Sequence, residues 1–282
     1  MFEQITILGT GLLGASIAIA SRAHNLSNRI VVWTRNPETR ARCAKAEWCD
    51  HVAETPAEAA QGSQLTVICT PVQTILPLLG EISPALHSGS IVTDVGSTKG
   101  SICAGTETLP KRDYTFIGSH PMAGSEQSGM DSATGDLFRS SACILTPLPG
   151  TDPEKSAQLH TFWQALGMTT HEMTPEQHDE IVAHISHLPH LLATAICNTL
   201  AKKSLAWRQL AGGGLRDSTR IAAGDPTLWC QILSENRDAI LHSLQALEKE
   251  LSTVKRLLEE KDEAAIFDTL ASGKAYREGL PK

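Results

Sequence analysis

Gly118-Ser119-His120-Pro121-Met122-Ala123-Gly124 sets one histidine among small residues directly after a short apolar run at 115–117. An imidazole titrates near neutrality, and strand ends are where a doubly wound sheet meets its ligand, so His120 reads as a proton acceptor exposed to a ligand crevice. A hydrogen-bonded structural histidine is the alternative. Asp94-Val95-Gly96-Ser97-Thr98-Lys99 closes the preceding strand pattern and brings the Ser97 hydroxyl toward the same edge. A third run, Gly9-Thr10-Gly11-Leu12-Leu13-Gly14, is a GxGxxG between a strand pattern and an Ala- and Ile-rich helix pattern. Its first glycine suits a tight turn, its second the close approach of a pyrophosphate, and its third helix packing. Thr70, just past the run at 65–69, belongs to the same edge. Glycines that only make a turn are the competing reading.

At the end of the second strand pattern an NAD-binding chain would carry an acid for the ribose 2′-hydroxyl. Thr34, Arg35 and Asn36 stand there instead. A hydroxyl and a guanidinium bind a 2′-phosphate that a carboxylate would repel, so the expected cofactor is NADP. A solvated Arg35, with NAD tolerated, is the alternative. Further on, Gly212-Gly213-Gly214-Leu215-Arg216-Asp217-Ser218-Thr219-Arg220 leads a flexible turn into two arginines suited to clamping carboxylates, with solvated surface arginines as the alternative. His184, His187 and His190 step by three and look metal-like. No acid or cysteine stands at ligand spacing and Pro189 breaks the helical face, so no metal is expected.

The elements that must position these groups change character along the chain. Short apolar runs at 4–8, 29–33, 65–69, 90–94, 115–117, 143–146 and 168–172 alternate with helical patterns, as in a parallel α/β sheet whose strand ends share one edge. After Met173 the strand signals stop, and Thr174-Pro175-Glu176 supplies an N-cap and a first-turn proline. The expected domains are therefore 1–173, Rossmann-like, and 174–282, all-α. In the second, Ile240, Leu244, Leu247, Leu251, Val254 and Leu258 form a heptad seam, read as a homodimer interface in preference to a helix packed within its own domain.

Composition narrows the partners. The 282 residues carry a formal charge of -7 with no basic tract, which disfavours nucleic acid and anionic membrane. The apolar opening at 5–20 lacks the positive start of a signal peptide, and no stretch reaches membrane-span length, so a cytoplasmic protein is expected. Seven cysteines with no CxxC read as reduced thiols.

In order along the chain, the GxGxxG, DVGSTKG at 94–100, GSHPMAG at 118–124, SHLPH at 186–190 and GGGLRDSTRIAAGDPTLW at 212–229 resemble the prephenate and arogenate dehydrogenase family of tyrosine biosynthesis. The resemblance spans essentially the whole chain. It implies a Rossmann-like N-terminal domain, a helical C-terminal dimerisation domain, and oxidative decarboxylation of a cyclohexadienol. It also implies roles: His120 withdraws the 4-hydroxyl proton, Ser97 assists near the nicotinamide, Arg220 binds a substrate carboxylate, and His187 and Trp229 line the substrate pocket. With the chain ending at 282, a regulatory ACT domain or a fused chorismate mutase is not expected.

The substrate stays open between prephenate and arogenate, which differ in a ketone against an ammonium. Asp225 would pair with that ammonium and tilt the reading toward arogenate; an acid before Pro226 also makes an ordinary turn or helix cap. Two rival functions remain. A β-hydroxyacid dehydrogenase of the 6-phosphogluconate type would use a lysine from the helical half, yet Lys202 and Lys203 lack the asparagine one turn later, Asn198 preceding them. A non-catalytic NADP-binding sensor would keep the glycines but gives no reason for His120, Ser97 and Arg220.

Overall fold

A computed structural model of the chain describes residues 1–110, 113–124, 127 and 129–280. Eight strands form one sheet: β1 (Phe2–Leu8), β2 (Ser27–Trp33), β3 (His51–Val52), β4 (Leu65–Ile68), β5 (Ser90–Asp94), β6 (Tyr114–Pro121), β7 (Ala142–Pro147) and β8 (Thr169–Glu172), in the order β3-β2-β1-β4-β5-β6-β7-β8. β4 and β5 are buried at every position, which is why they read as continuous apolar runs: helices cover both faces. Ile5 and Ile7 pack into one core cluster and Leu8 into another, following the alternation of side chains along a strand.

The sheet departs from the all-parallel expectation at one seam. β6 and β7 are antiparallel, with His120 opposite Ile144, whereas every other pairing is parallel. β7 and β8 therefore end at the edge opposite to the other strands. β6 also runs on through His120 and Pro121, because Gly118 and Ser119, which read as loop residues, pair with Thr146 and Leu145. β3 has no counterpart in the sequence pattern, since two residues show no period.

The helices are α1 (Leu12–Ala23), α2 (Pro37–Cys43), α3 (Pro56–Ala60), α4 (Val72–Ile82), α5 (Gly100–Thr108), α6 (Pro153–Ala165), α7 (Pro175–Val182), α8 (Leu188–Ala201), α9 (Gly213–Thr219), α10 (Pro226–Glu235), α11 (Arg237–Glu260) and α12 (Glu263–Glu278). α7 starts at Pro175 under a full capping box: Thr174 accepts from the Gln177 main chain, and the Gln177 side chain accepts from the Thr174 N–H. Pro189 sits in the first turn of α8, where its missing N–H is preceded by a widened π turn, Ala183–His187.

Two compact units emerge, Met1–Asn236 and Arg237–Lys282. The first holds the sheet with α1 to α10; the second holds α11 and α12. Within the second, Leu251, Val254 and Leu258 of the heptad seam are exposed on the single chain. No helix among the described residues is long and apolar enough to cross a membrane.

Candidate active site

β1 delivers the chain into a turn at Gly9, whose φ is +100° and where a Cβ would stand 2.8 Å from the Cys69 carbonyl oxygen. Only glycine fits both limits. A Cβ on Gly14 would lie 1.9 Å from the Gly9 carbonyl oxygen, so the third glycine lets α1 press onto the turn, while a Cβ on Gly11 would meet nothing within 4 Å. Gly11 is the N-cap of α1 and offers no capping side chain; Leu12 and Leu13 follow, and no side chain caps the helix start. Gly9, Thr10 and Gly11 line a cleft of about 470 Å³ together with Trp33, Thr34, Arg35 and Thr70. The Thr70 hydroxyl is buried without a partner. A Cβ-free cradle, an open helix start and an orphaned hydroxyl fit a dinucleotide.

The far wall of this cleft is the β2 turn. Arg40 donates to the carbonyls of Thr34 (2.9 Å) and Arg35 (3.3 Å), and Asn36 is spent as the N-cap of α2, accepting from Glu38 N at 2.8 Å. The acid lining the cleft is Glu81 of α4, not a residue of this turn.

At the end of β6, His120 is 8% exposed, because its pairing with β7 folds it into the sheet. Its Nδ1 lies 2.8 Å from His178 Nε2, and His178 Nδ1 lies 2.7 Å from Asp179 Oδ1. Asp179 also accepts the main-chain N–H of Lys99 and of Gly100, both at 2.8 Å, at the start of α5. Burial, and then the neighbouring His178, hold His120 well below the ordinary histidine range. Burial likewise lowers His178. For Asp179 burial works upward, but the hydrogen bonds from His178, Lys99 and Gly100 outweigh it and the carboxyl lies below its usual value.

Ser97 is half-buried on the loop between β5 and α5. That loop is pinned by a fully buried ion pair, Lys99 with Asp94, and by Gly96 N donating to Asp94 at 2.8 Å. Asp94 also accepts from Ser119 N at 3.3 Å, tying the Ser97 loop to the His120 strand.

The histidine triplet splits. His184 is exposed and bonded to the Glu180 carbonyl, while His187 and His190 are buried. No group able to hold a metal occurs among the described residues. His190 stacks on Trp229 with ring centroids 3.5 Å apart, and His187 meets the same indole edge-on at 6.1 Å. Burial lowers His187 to about 4. Arg220 is exposed in a short turn, Arg220–Ala223, packed on α8. Asp225 is the N-cap of α10 and accepts from Thr227 N at 2.8 Å, the ordinary use of an acid before a proline. Sequence reasoning missed His178, Asp179 and Asn236. The first two carried a signal, a His-Asp pair one turn after a capping box.

Residues 17–171 match the family described as prephenate dehydrogenase, nucleotide-binding domain, and residues 174–272 the one described as prephenate dehydrogenase, dimerization domain. Prephenate dehydrogenase of Bacillus subtilis (strain 168) is 34% identical over 289 residues, covering 100% of this chain and 77% of that protein. The crystal structure of prephenate dehydrogenase from A. aeolicus, in complex with hydroxyphenyl propionate and NAD+, has a TM-score of 0.92 at 28% identity, covering 100% of this chain and 99% of the other. Synechocystis arogenate dehydrogenase gives 0.85 at 31%, covering 98% and 99%. Lys202 and Lys203, which a β-hydroxyacid dehydrogenase reading would need as base, are exposed at the end of α8. Both halves of the chain, and the site they build, thus place it in the prephenate and arogenate dehydrogenase family.

Proposed function

We propose that the chain oxidatively decarboxylates arogenate and prephenate with NADP as the preferred acceptor, and that it works as a homodimer through its helical C-terminal part. The observation that carries the catalytic assignment is the buried His120, tied by His178 to the Asp179 carboxylate at the end of β6, two strands along the sheet from β4. His120 takes the proton of the substrate 4-hydroxyl. As that O–H electron pair closes to a carbonyl, hydride leaves C4; the ring carboxylate then departs as carbon dioxide, its electron pair moves through the ring to the carbonyl oxygen, and that oxygen, now the phenol oxygen of an aromatic ring, takes the proton back from His120. The nicotinamide, when bound, supplies the hydride acceptor. Ser97 holds the 4-hydroxyl oxygen in line with His120, and Arg220 binds a substrate carboxylate. His187 and Trp229 wall the ring pocket. Burial of the site excludes water from the developing charge.

The cradle Gly9, Gly11 and Gly14, the helix start at Leu12 and Leu13, and Thr70 would hold the dinucleotide. NADP follows from Thr34 and Arg35 on the cleft wall in a turn with no carboxylate. NAD binding by the A. aeolicus relative is the contrary precedent. Residues 1–173 serve the nucleotide and 174–282 the substrate pocket and dimer, a division supported by the bounds of the two family matches. Reduced-cofactor formation measured with prephenate and with arogenate, each with NADP and with NAD, tests all of this. Turnover of neither substrate overturns the reaction, and a higher kcat/KM with NAD overturns the cofactor reading.

A further inference from the structure

His187 carries a buried Nε2 that bonds to nothing, while its Nδ1 lies 3.2 Å from the Asn236 side-chain nitrogen. That same nitrogen lies 2.7 Å from the Asp179 main-chain carbonyl. The amide orientation follows from elimination. A carbonyl oxygen only accepts, and that of Asp179 already receives the Ala183 N–H, so the Asn236 atom facing it is the NH₂. Reversing the amide would set two acceptor oxygens 2.7 Å apart. The second hydrogen of this NH₂ then points at His187 Nδ1, which must be the acceptor. His187 is neutral because it is 1% exposed, so its single ring proton sits on Nε2.

The side chain of Asp179 imposes the opposite pattern on the other histidine. Its carboxylate only accepts, so His178 Nδ1 carries a proton; His178, buried and neutral, then accepts at Nε2. The partner across that 2.8 Å bond, His120 Nδ1, is the donor, and His120 Nε2 keeps its lone pair.

We infer that Asn236 is a positioning residue that fixes His187 as its Nε2–H tautomer, a neutral hydrogen-bond donor to a substrate oxygen. Asp179 thereby gives two active-site histidines opposite roles: through His178 it makes His120 a base, and through Asn236 it makes His187 a donor. This rests on the proposed dehydrogenase reading for the identity of the ligand oxygen, but the tautomers themselves do not depend on turnover.

Histidine-selective ¹⁵N NMR on the full chain tests the inference, with signals assigned from His120→Gln and His187→Gln samples. The expected spectrum shows His187 protonated at Nε2 and His120 protonated at Nδ1. His187 protonated at Nδ1 overturns the inference, whatever the assays of activity show. Asn236→Leu should release the His187 tautomer, leave that of His120 unchanged, and raise the KM for the cyclohexadienol about tenfold, the usual scale for one lost hydrogen bond. If that variant does not fold, Asn236→Ala removes the donor with a smaller change and sets no acceptor against the Asp179 carbonyl, so His187 should lose its fixed Nε2–H form. An unmoved His187 signal in the variant that folds removes Asn236 from the role. A chain that shows both tautomers yet turns over neither substrate would retire the dehydrogenase reading and leave this one standing.

Discussion

His120→Asn keeps a side chain of similar reach but no group able to take a proton at the Nε2 position. Turnover should fall by about two to four orders of magnitude while the cofactor dissociation constant stays unchanged. Near-normal turnover would move the base elsewhere. At Asp225 the structure changes what should be expected of a substitution. As an N-cap, its oxygen is engaged with Thr227 N, and asparagine caps equally well. Asp225→Asn should therefore leave the arogenate-to-prephenate ratio of specificity constants within about twofold and Tm nearly unchanged. A tenfold fall in that ratio would instead make Asp225 the partner of the arogenate ammonium. The roles of single residues were legible in proportion to how local their cause is. Gly9 and Gly14 are dictated by contacts within one strand-turn-helix, whereas Asn236 acts on His187 across 49 positions and has no pattern of its own.

The β2 turn is the element on which the proposed preference for NADP rests. Its carbonyls are held by Arg40 and its asparagine is committed to capping α2, so Thr34 and Arg35 are displayed on a rigid frame. Thr34→Asp combined with Arg35→Ala supplies an acceptor for the ribose 2′-hydroxyl and removes the guanidinium. The kcat/KM ratio should swing toward NAD by about one to two orders of magnitude, the scale of exchanging a charge-assisted hydrogen bond to the phosphate for one to the ribose. If the ratio holds, the 2′-phosphate is bound elsewhere in the cleft. β6 shows the limit of reading elements from sequence. Its apolar part, 115–117, has a strand's period, but the residues that matter, Gly118 to Pro121, are small or polar. They become strand only by pairing with β7, a long-range cause that no local window contains.

Across the whole molecule, the seam on α11 leaves Leu251 at 54%, Val254 at 38% and Leu258 at 61% exposure on one chain, a stripe that water penalises and a second copy would cover. Leu251→Glu with Leu258→Glu should convert the dimer to monomer in sedimentation velocity; an unchanged sedimentation coefficient would place the interface elsewhere. Acid stability is set by the buried imidazoles. His120, His178 and His187 are lowered in the folded chain chiefly by burial, so between their folded values and about 6.5 the unfolded chain binds more protons than the native one. Stability is then full above about 6.5 and falls as pH drops. For His187 the window runs from 6.5 down to about 4. By pH 5 this residue alone costs about 2 kcal/mol, at about 1.4 kcal/mol per unit. Asp179 adds its share only lower, because a carboxyl held below its usual value of 3.8 loses its contribution as pH falls through the folded value. Urea unfolding at one protein concentration should therefore show a midpoint at pH 5 well below that at pH 7.5. His187→Gln, which removes the titrating ring, should flatten that difference by about 2 kcal/mol even if it lowers stability at both pH values. An equal pH dependence in the two proteins would mean that His187 is already solvated in the native chain.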